Sequence, residues 1–159
     1  MGYMHVSFEK SSFAIQWHVV AMFLPSFFSG LLISRWGHLN IIYAGFLLLI
    51  LTSLVNIFAY GYGAITISLI LLGLGWNFCY VGGSALLSIS FENSLKAHNW
   101  QGIGDTTIAI FATMGDFLPS VLLILIGWKG SNMLALFLCL LSIFLMSHFS
   151  PKGLVRKVT

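Results

Sequence analysis

Five residues of this 159-residue chain could do chemistry in an apolar setting: Trp76, Asn77, Tyr80, Asp105 and Asp116. Asp116 follows Gly115 in the middle of a long apolar run, where burying an aspartate costs roughly 2.5–3.5 kcal/mol. Such a residue is either a protonatable group for cation coupling or a neutral aspartate hydrogen-bonded in helix packing, with Thr113 a candidate partner. Asp105 stands eleven residues earlier, three helical turns, so the two aspartates share one side of a helix. It also heads its apolar run, ahead of Thr106 and Thr107, where capping a helix N-terminus accounts for it equally well. Asn77 sits between two aromatic residues. Read from the residues alone, its amide suits a bond between helices, worth about 0.6 kcal/mol.

A second constellation is the turn Gly30-Leu-Leu-Ile-Ser-Arg-Trp-Gly-His-Leu-Asn40. It places Arg35 and His38 between two apolar runs that must be antiparallel neighbours, and basic residues at such a turn are held on the cytoplasmic side of a bilayer. Pro25 and Pro119 lie in a repeated Phe-Leu-Pro-Ser string, at 23–26 and 117–120. Each removes a backbone hydrogen bond and is expected to kink its helix, with neighbours satisfying the freed carbonyl. Gly73, Gly75, Gly82 and Gly83 suit close helix approach, and with no strand before them they form no nucleotide fingerprint. His5, His18, His38, His98 and His148 are scattered over loops and run ends, with no pair three or four residues apart. Neither a helical metal site nor a nucleophile with its base is set up, so no enzyme, metal or cofactor is expected.

The elements that carry these residues follow from composition. Hydrophobic residues make up 58% of the chain and charged residues 7%, against roughly 25% charged in soluble domains. A mean hydropathy of +0.98 agrees, and the fold class expected is an all-α integral membrane protein. Five apolar segments stand out, at about 12–33, 39–60, 64–89, 106–128 and 131–148. Each is long enough to cross a hydrocarbon core of about 30 Å as a helix. Residues 1–11 read as an extracytoplasmic segment without a cleavable signal, and 149–159 as a cytoplasmic basic tail. Placing alternate connections in the cytoplasm collects Arg35, Lys96, Lys152, Arg156 and Lys157 inside and leaves Lys10 and Lys129 outside. The positive-inside rule therefore puts the N-terminus outside and the C-terminus in the cytoplasm. Trp17, Tyr60, Tyr62, Trp100 and Trp128 fall near span ends, as an aromatic belt would. The net charge of +3 includes no Lys/Arg cluster beyond the tail, so nucleic acid is no partner. Cys79 and Cys139 lie within spans and read as packed thiols.

The turn at Gly30–Asn40 resembles the signature loop of the major facilitator superfamily of transporters. That loop runs glycine, three residues, an acid, a base, any residue, glycine, then one or two bases. Gly30, Arg35, Gly37 and His38 match, whereas Ser34 takes the place of the acid and Leu39 that of a second base. Longer strings are similar to bacterial permeases of this family. They are Gln16-Trp17-His18-Val19 and Pro25–Gly30 for the eighth helix, Gly73–Phe78 and Val81–Leu87 for the tenth, and Gln101-Gly102 with Asp105 for the eleventh.

The resemblance implies an inner-membrane protein matching helices eight to twelve of twelve, a partial C-terminal half-bundle of five, with Met1–His5 at the tail of the seventh. It implies a small solute moved by alternating access between two halves, with Trp76, Asn77 and Tyr80 lining the cavity and Asp105 and Asp116 as coupling or gating candidates. Arg35 and the Ser34 position would tie two helices at the cytoplasmic gate. A serine cannot place a charge against a helix N-terminus, so that gate should be weak. Five helices lack an opposing half. The expected partners are the bilayer, the solute and either the missing N-terminal half or another copy of the chain. The alternative is a non-transporting membrane assembly protein or an inactive remnant of a split permease gene.

Overall fold

The computed structural model describes residues 7–91 and 97–149, and its regular structure there is entirely helical. Helices are the expected answer, because lipid offers the backbone no partner outside its own segment. In chain order they are α1 (Phe8–Phe23), α2 (Ser26–Trp36), α3 (His38–Phe58), α4 (Tyr62–Ser90) and α5 (Ala97–Phe149). Three of the residues used for orientation in the tail (Lys152, Arg156 and Lys157), together with Met1–His5 and Lys96, lie outside the described residues.

The boundaries depart from the apolar runs in two places. The expected span at 12–33 is a broken pair, α1 and α2, bent by 45°. Pro25 has no N–H to continue the ladder. The chain restarts with the Phe27 amide donating to Leu24 O at 3.3 Å and the Phe28 amide to Pro25 O at 2.9 Å. Pro119 behaves differently, lying inside α5 without ending it. The interruption falls at Gly127, with φ 69° and ψ −179°, a conformation open to glycine and costly for a side chain. Trp128–Gly130, expected as the turn, are helical, and a single glycine does its work.

By length and apolarity three helical stretches can cross a membrane: α3, α4 and Phe117–Phe149, or four if the bent pair counts as one. The first part of α5 falls outside that set, its sequence diluted by Asp105, Thr106, Thr107, Thr113 and Asp116. Contacts nevertheless carry it along the bundle. Gln101 meets Ser84 near the end of α4, and Trp128 meets Asn56 near the end of α3.

Packing centres on α4, which lies against α3 and against the α1–α2 pair. In lipid no hydrophobic force drives helices together, so close approach at small residues has to do it. A Cβ on Gly75 would stand 2.9 Å from Leu49 and 3.0 Å from Gly45 O, and one on Gly45 2.7 Å from Cys79 Sγ. One on Gly82 would meet Ile42 at 2.7 Å, and one on Gly73 would meet His18 O at 2.6 Å. Gly75 and Gly82 are seven residues apart and face α3, while Gly73 faces α1. Gly83, expected to join them, has nothing within 4 Å.

Candidate solute-binding face

Two sides of α4 are thus closed, and its third side carries the aromatic candidates. Trp76 and Tyr80, one helical turn apart, stack with ring centroids 5.0 Å apart and planes 5° apart. Side chains four residues apart sit above one another on a helix face, so the row continues to Ser84. Tyr80 is 39% exposed. Both rings lie near the middle of a 29-residue helix, whereas lipid-facing Trp and Tyr belong at the interfaces, where their N–H and O–H reach water. A mid-span pair of this kind suits a cavity better than hydrocarbon.

Asn77 is next to this row but turned inward. It is 1% exposed, and its Nδ2 donates to Met22 O and to Ser26 Oγ, each at 2.6 Å. Met22 lies in the last turn of α1, where carbonyls lack an intrahelical partner. The amide therefore satisfies the backbone at the Pro25 bend and ties α4 to both halves of the broken helix. Its Oδ1 is buried with no partner among the described residues. His18, one of the scattered histidines, reaches α4, with Nδ1 2.6 Å from Leu69 O.

At the far end of the row, Gln101 Nε2 donates to Ser84 Oγ at 3.2 Å and to Asp105 Oδ1 and Oδ2 at 3.3 and 3.4 Å. The capping reading of Asp105 is corrected here. The helix begins at Ala97, so Asp105 is two turns inside it and accepts from Gln101 one turn back. Thr106 and Thr107 likewise bond back to Gly102 O and Ile103 O. Gln101 Oε1 is buried without a partner among the described residues. Asp116 lies within α5, and its side chain is outside the described residues.

The basic turn is built by Gly37, the one residue between α2 and α3, with φ 79° and ψ 158°. Its amide closes α2 by donating to Ile33 O at 2.7 Å. Gly30 has open space where a Cβ would stand. Ser34 Oγ donates back to Leu31 O at 2.9 Å, and Arg35 is exposed in the last turn of α2. His38 opens α3 with its Nδ1 buried and unpartnered among the described residues. The turn meets α4 between Tyr80 and Ser84, since a Cβ on Gly82 would stand 3.4 Å from His38 O.

Sequence reading missed one polar cluster. Asn56 Nδ2 donates to Asn132 Oδ1 at 3.0 Å, Trp128 Nε1 donates to Asn56 O at 2.9 Å, and Asn132 Nδ2 donates to Trp128 O at 2.8 Å. Two asparagines in apolar runs were the available signal, since such residues in helices facing lipid seek a partner. Among the described residues no group of three or more His, Cys, Asp or Glu could hold a metal ion.

Comparison with known proteins supplies the family. The chain is 32% identical to the riboflavin transporter RfnT of Brucella anthropi over 156 residues, 96% of this chain. It is 36% identical over 124 residues to YdeG, and 32% identical over 123 residues to YddS. Both are uncharacterized MFS-type transporters of Bacillus subtilis, and the matches cover 77% and 76% of this chain. The chain belongs to the major facilitator superfamily. It is accordingly a helical membrane protein, similar over most of its length to part of MFS-type transporters. No family model matches it, and no solved structure does. This major facilitator chain spans 38% of the length of RfnT, and 27% and 28% of YdeG and YddS.

Proposed function

We propose that the chain is part of a secondary transporter that moves a small organic solute across the bacterial cell membrane by alternating access, with riboflavin the first solute to test. The observation that carries this is the match to a riboflavin transporter along 96% of the chain. The α4 aromatic row supplies a fitting wall for a cavity. In this reading five helical passes form part of one transporter half, numbers eight to twelve of twelve. The contacts of α5 near the ends of α4 and α3 support a full crossing by residues 97–126. The N-terminal end of α1 lies outside and the Arg35 turn lies in the cytoplasm, as the distribution of Lys and Arg favours.

The opposing half comes from other residues or another copy, since access can alternate only between two bodies. Asp105 and Asp116 are the candidates for proton coupling, and Ser34 with Arg35 for the cytoplasmic gate. A second reading, an assembly protein or inactive remnant, is favoured by Ser34 standing where an acid belongs. Uptake of radiolabelled riboflavin decides between them. The test strain is a riboflavin auxotroph without its own importer, expressing the chain in its native genomic context. Uptake that disappears when the chain is deleted is the expected result. A chain that inserts in the membrane and adds no uptake supports the second reading.

A further inference from the structure

Resting on the transport reading above, we infer that the face of α4 between Trp76 and Ser84 is a two-part site for a planar fused-ring solute bearing a hydroxylated chain. The ring system stacks on Trp76 and Tyr80, and the chain is hydrogen-bonded by the Gln101–Asp105–Ser84 group.

The two parts lie in line. Trp76, Tyr80 and Ser84 recur every four residues, so they form one ridge about 12 Å long from first to last. The upper part is flat and apolar. Its two rings are already stacked on each other, 5° apart, and a third ring can extend that stack on an outer face. The lower part is polar and joined across helices. Gln101 of α5 reaches Ser84 of α4, and Asp105 is exposed beside it.

The lower part also has hydrogen-bonding capacity of the right kind. Asp105 is exposed, and Gln101 Nε2, bonded to both of its carboxylate oxygens, holds it beside Ser84. Hydroxyls of the chain donate to that carboxylate. A solute that is only a flat ring leaves it unused. One that is only a polyol gains nothing from the aromatic shelf.

Asn77 is not part of the site, because its amide is committed to Met22 O and Ser26 Oγ. Its position beside Trp76 in the chain gives it a different bearing on binding. The residue that holds the Pro25 bend adjoins the residue that would touch the ring.

Quenching of flavin fluorescence by the purified full chain in lipid nanodiscs tests the assignment, with riboflavin and lumiflavin as probes. The two share a ring system, and lumiflavin has a methyl group in place of the hydroxylated chain. Riboflavin should bind more tightly than lumiflavin. Changing Trp76 and Tyr80 together to Leu should weaken both probes by about tenfold or more, as loss of an aromatic pair does. Gln101→Ala should weaken riboflavin alone and narrow its advantage over lumiflavin. Trp76→Phe with Tyr80→Phe, which keeps the rings, should retain lumiflavin binding and guards against misfolding of the Leu pair.

Equal effects of Gln101→Ala on both probes, unchanged binding in the Leu pair, or no quenching by either probe would overturn the site. Failure of the transport reading is distinguishable. A chain that binds with this ring-and-chain pattern and supports no uptake keeps the site and loses the transport reading. Uptake with binding indifferent to Trp76 and Tyr80 does the reverse.

Discussion

The α3–α4 pair and the first arm of α5, residues 97–126, are both helical and apolar, yet they are held in opposite ways. Between α3 and α4 the backbones approach so closely that Gly45, Gly75 and Gly82 have no room for a side chain. Along the arm, Ile103, Ile110, Phe111, Met114 and Phe117 are all more than half exposed, and Asp105, Thr106, Thr107 and Thr113 are exposed as well. The first region is complete within the chain. The second has an exposed polar side: its threonines bond back to their own helix and Asp105 accepts from Gln101, but an acid left facing hydrocarbon is costly. α1, α3 and α4 hold the bundle, and in the proposed reading the free sides of α4 and α5 are left for a solute and for the rest of a transporter.

The largest effect is expected where the packing has no slack. Gly75→Leu puts a side chain against Leu49 and Gly45 O. Because backbone cannot yield as a side-chain tip does, it should cost about 3 kcal/mol, at the upper end for overpacking. Loss of monodisperse protein on extraction from the membrane, with an earlier midpoint in detergent unfolding, is the readout. A Leu as large on the arm, at Ala109, should leave both unchanged.

Asn77→Leu comes next. It strips Met22 O of its amide at the bend and leaves a buried carbonyl unmet, a loss of about 1–3 kcal/mol. Distance measurements between spin labels on α1 and α2 should show the 45° bend change or broaden. An unaltered distribution would mean that Pro25 alone sets the angle.

The smallest effect sharpens the contrast within α4 itself. Gly83→Ala meets nothing within 4 Å, and helix propensity then favours alanine by about 0.8–1.0 kcal/mol. Unfolding should be unchanged or slightly delayed. A large loss at Gly83 would show that this side of α4 is as tightly covered as the side facing α3.

Much of this was legible in the residues, and what was not has physical causes. Long apolar runs specify helices in lipid almost without competition, so α3 and α4 lie within about two residues of the runs that announced them. Pro25 and Pro119 occupy identical strings and behave differently. Proline ends a helix only where the surroundings accept the bend, and Asn77 on another helix accepts the one at Pro25. The break at Gly127 carried only the weak signal of a glycine among apolar residues. At the candidate site, Trp76 and Tyr80 could be chosen because the strings around them resemble the cavity-lining tenth helix of the family. Asn77 was chosen for its amide, but which of two neighbouring faces it serves depends on where α1 packs. Asp105 looked like a cap because the apolar run starts there, whereas the helix starts eight residues sooner over polar residues. Gln101 stood out only as part of a family-like string, and its bonding role comes from its neighbours Ser84 and Asp105.

The central claim is that α4 has closed sides facing α1 and α3 and one open working side. Single cysteines in a chain freed of Cys79 and Cys139, labelled with a membrane-impermeant maleimide in intact cells and everted vesicles, test it most directly. Tyr80→Cys and Ser84→Cys should react from at least one side of the membrane and be protected by riboflavin, while Ser68→Cys and Ser53→Cys, each 3% exposed, stay unreactive. Reaction at Ser68 and Ser53 with silence at Tyr80 and Ser84 would contradict the account.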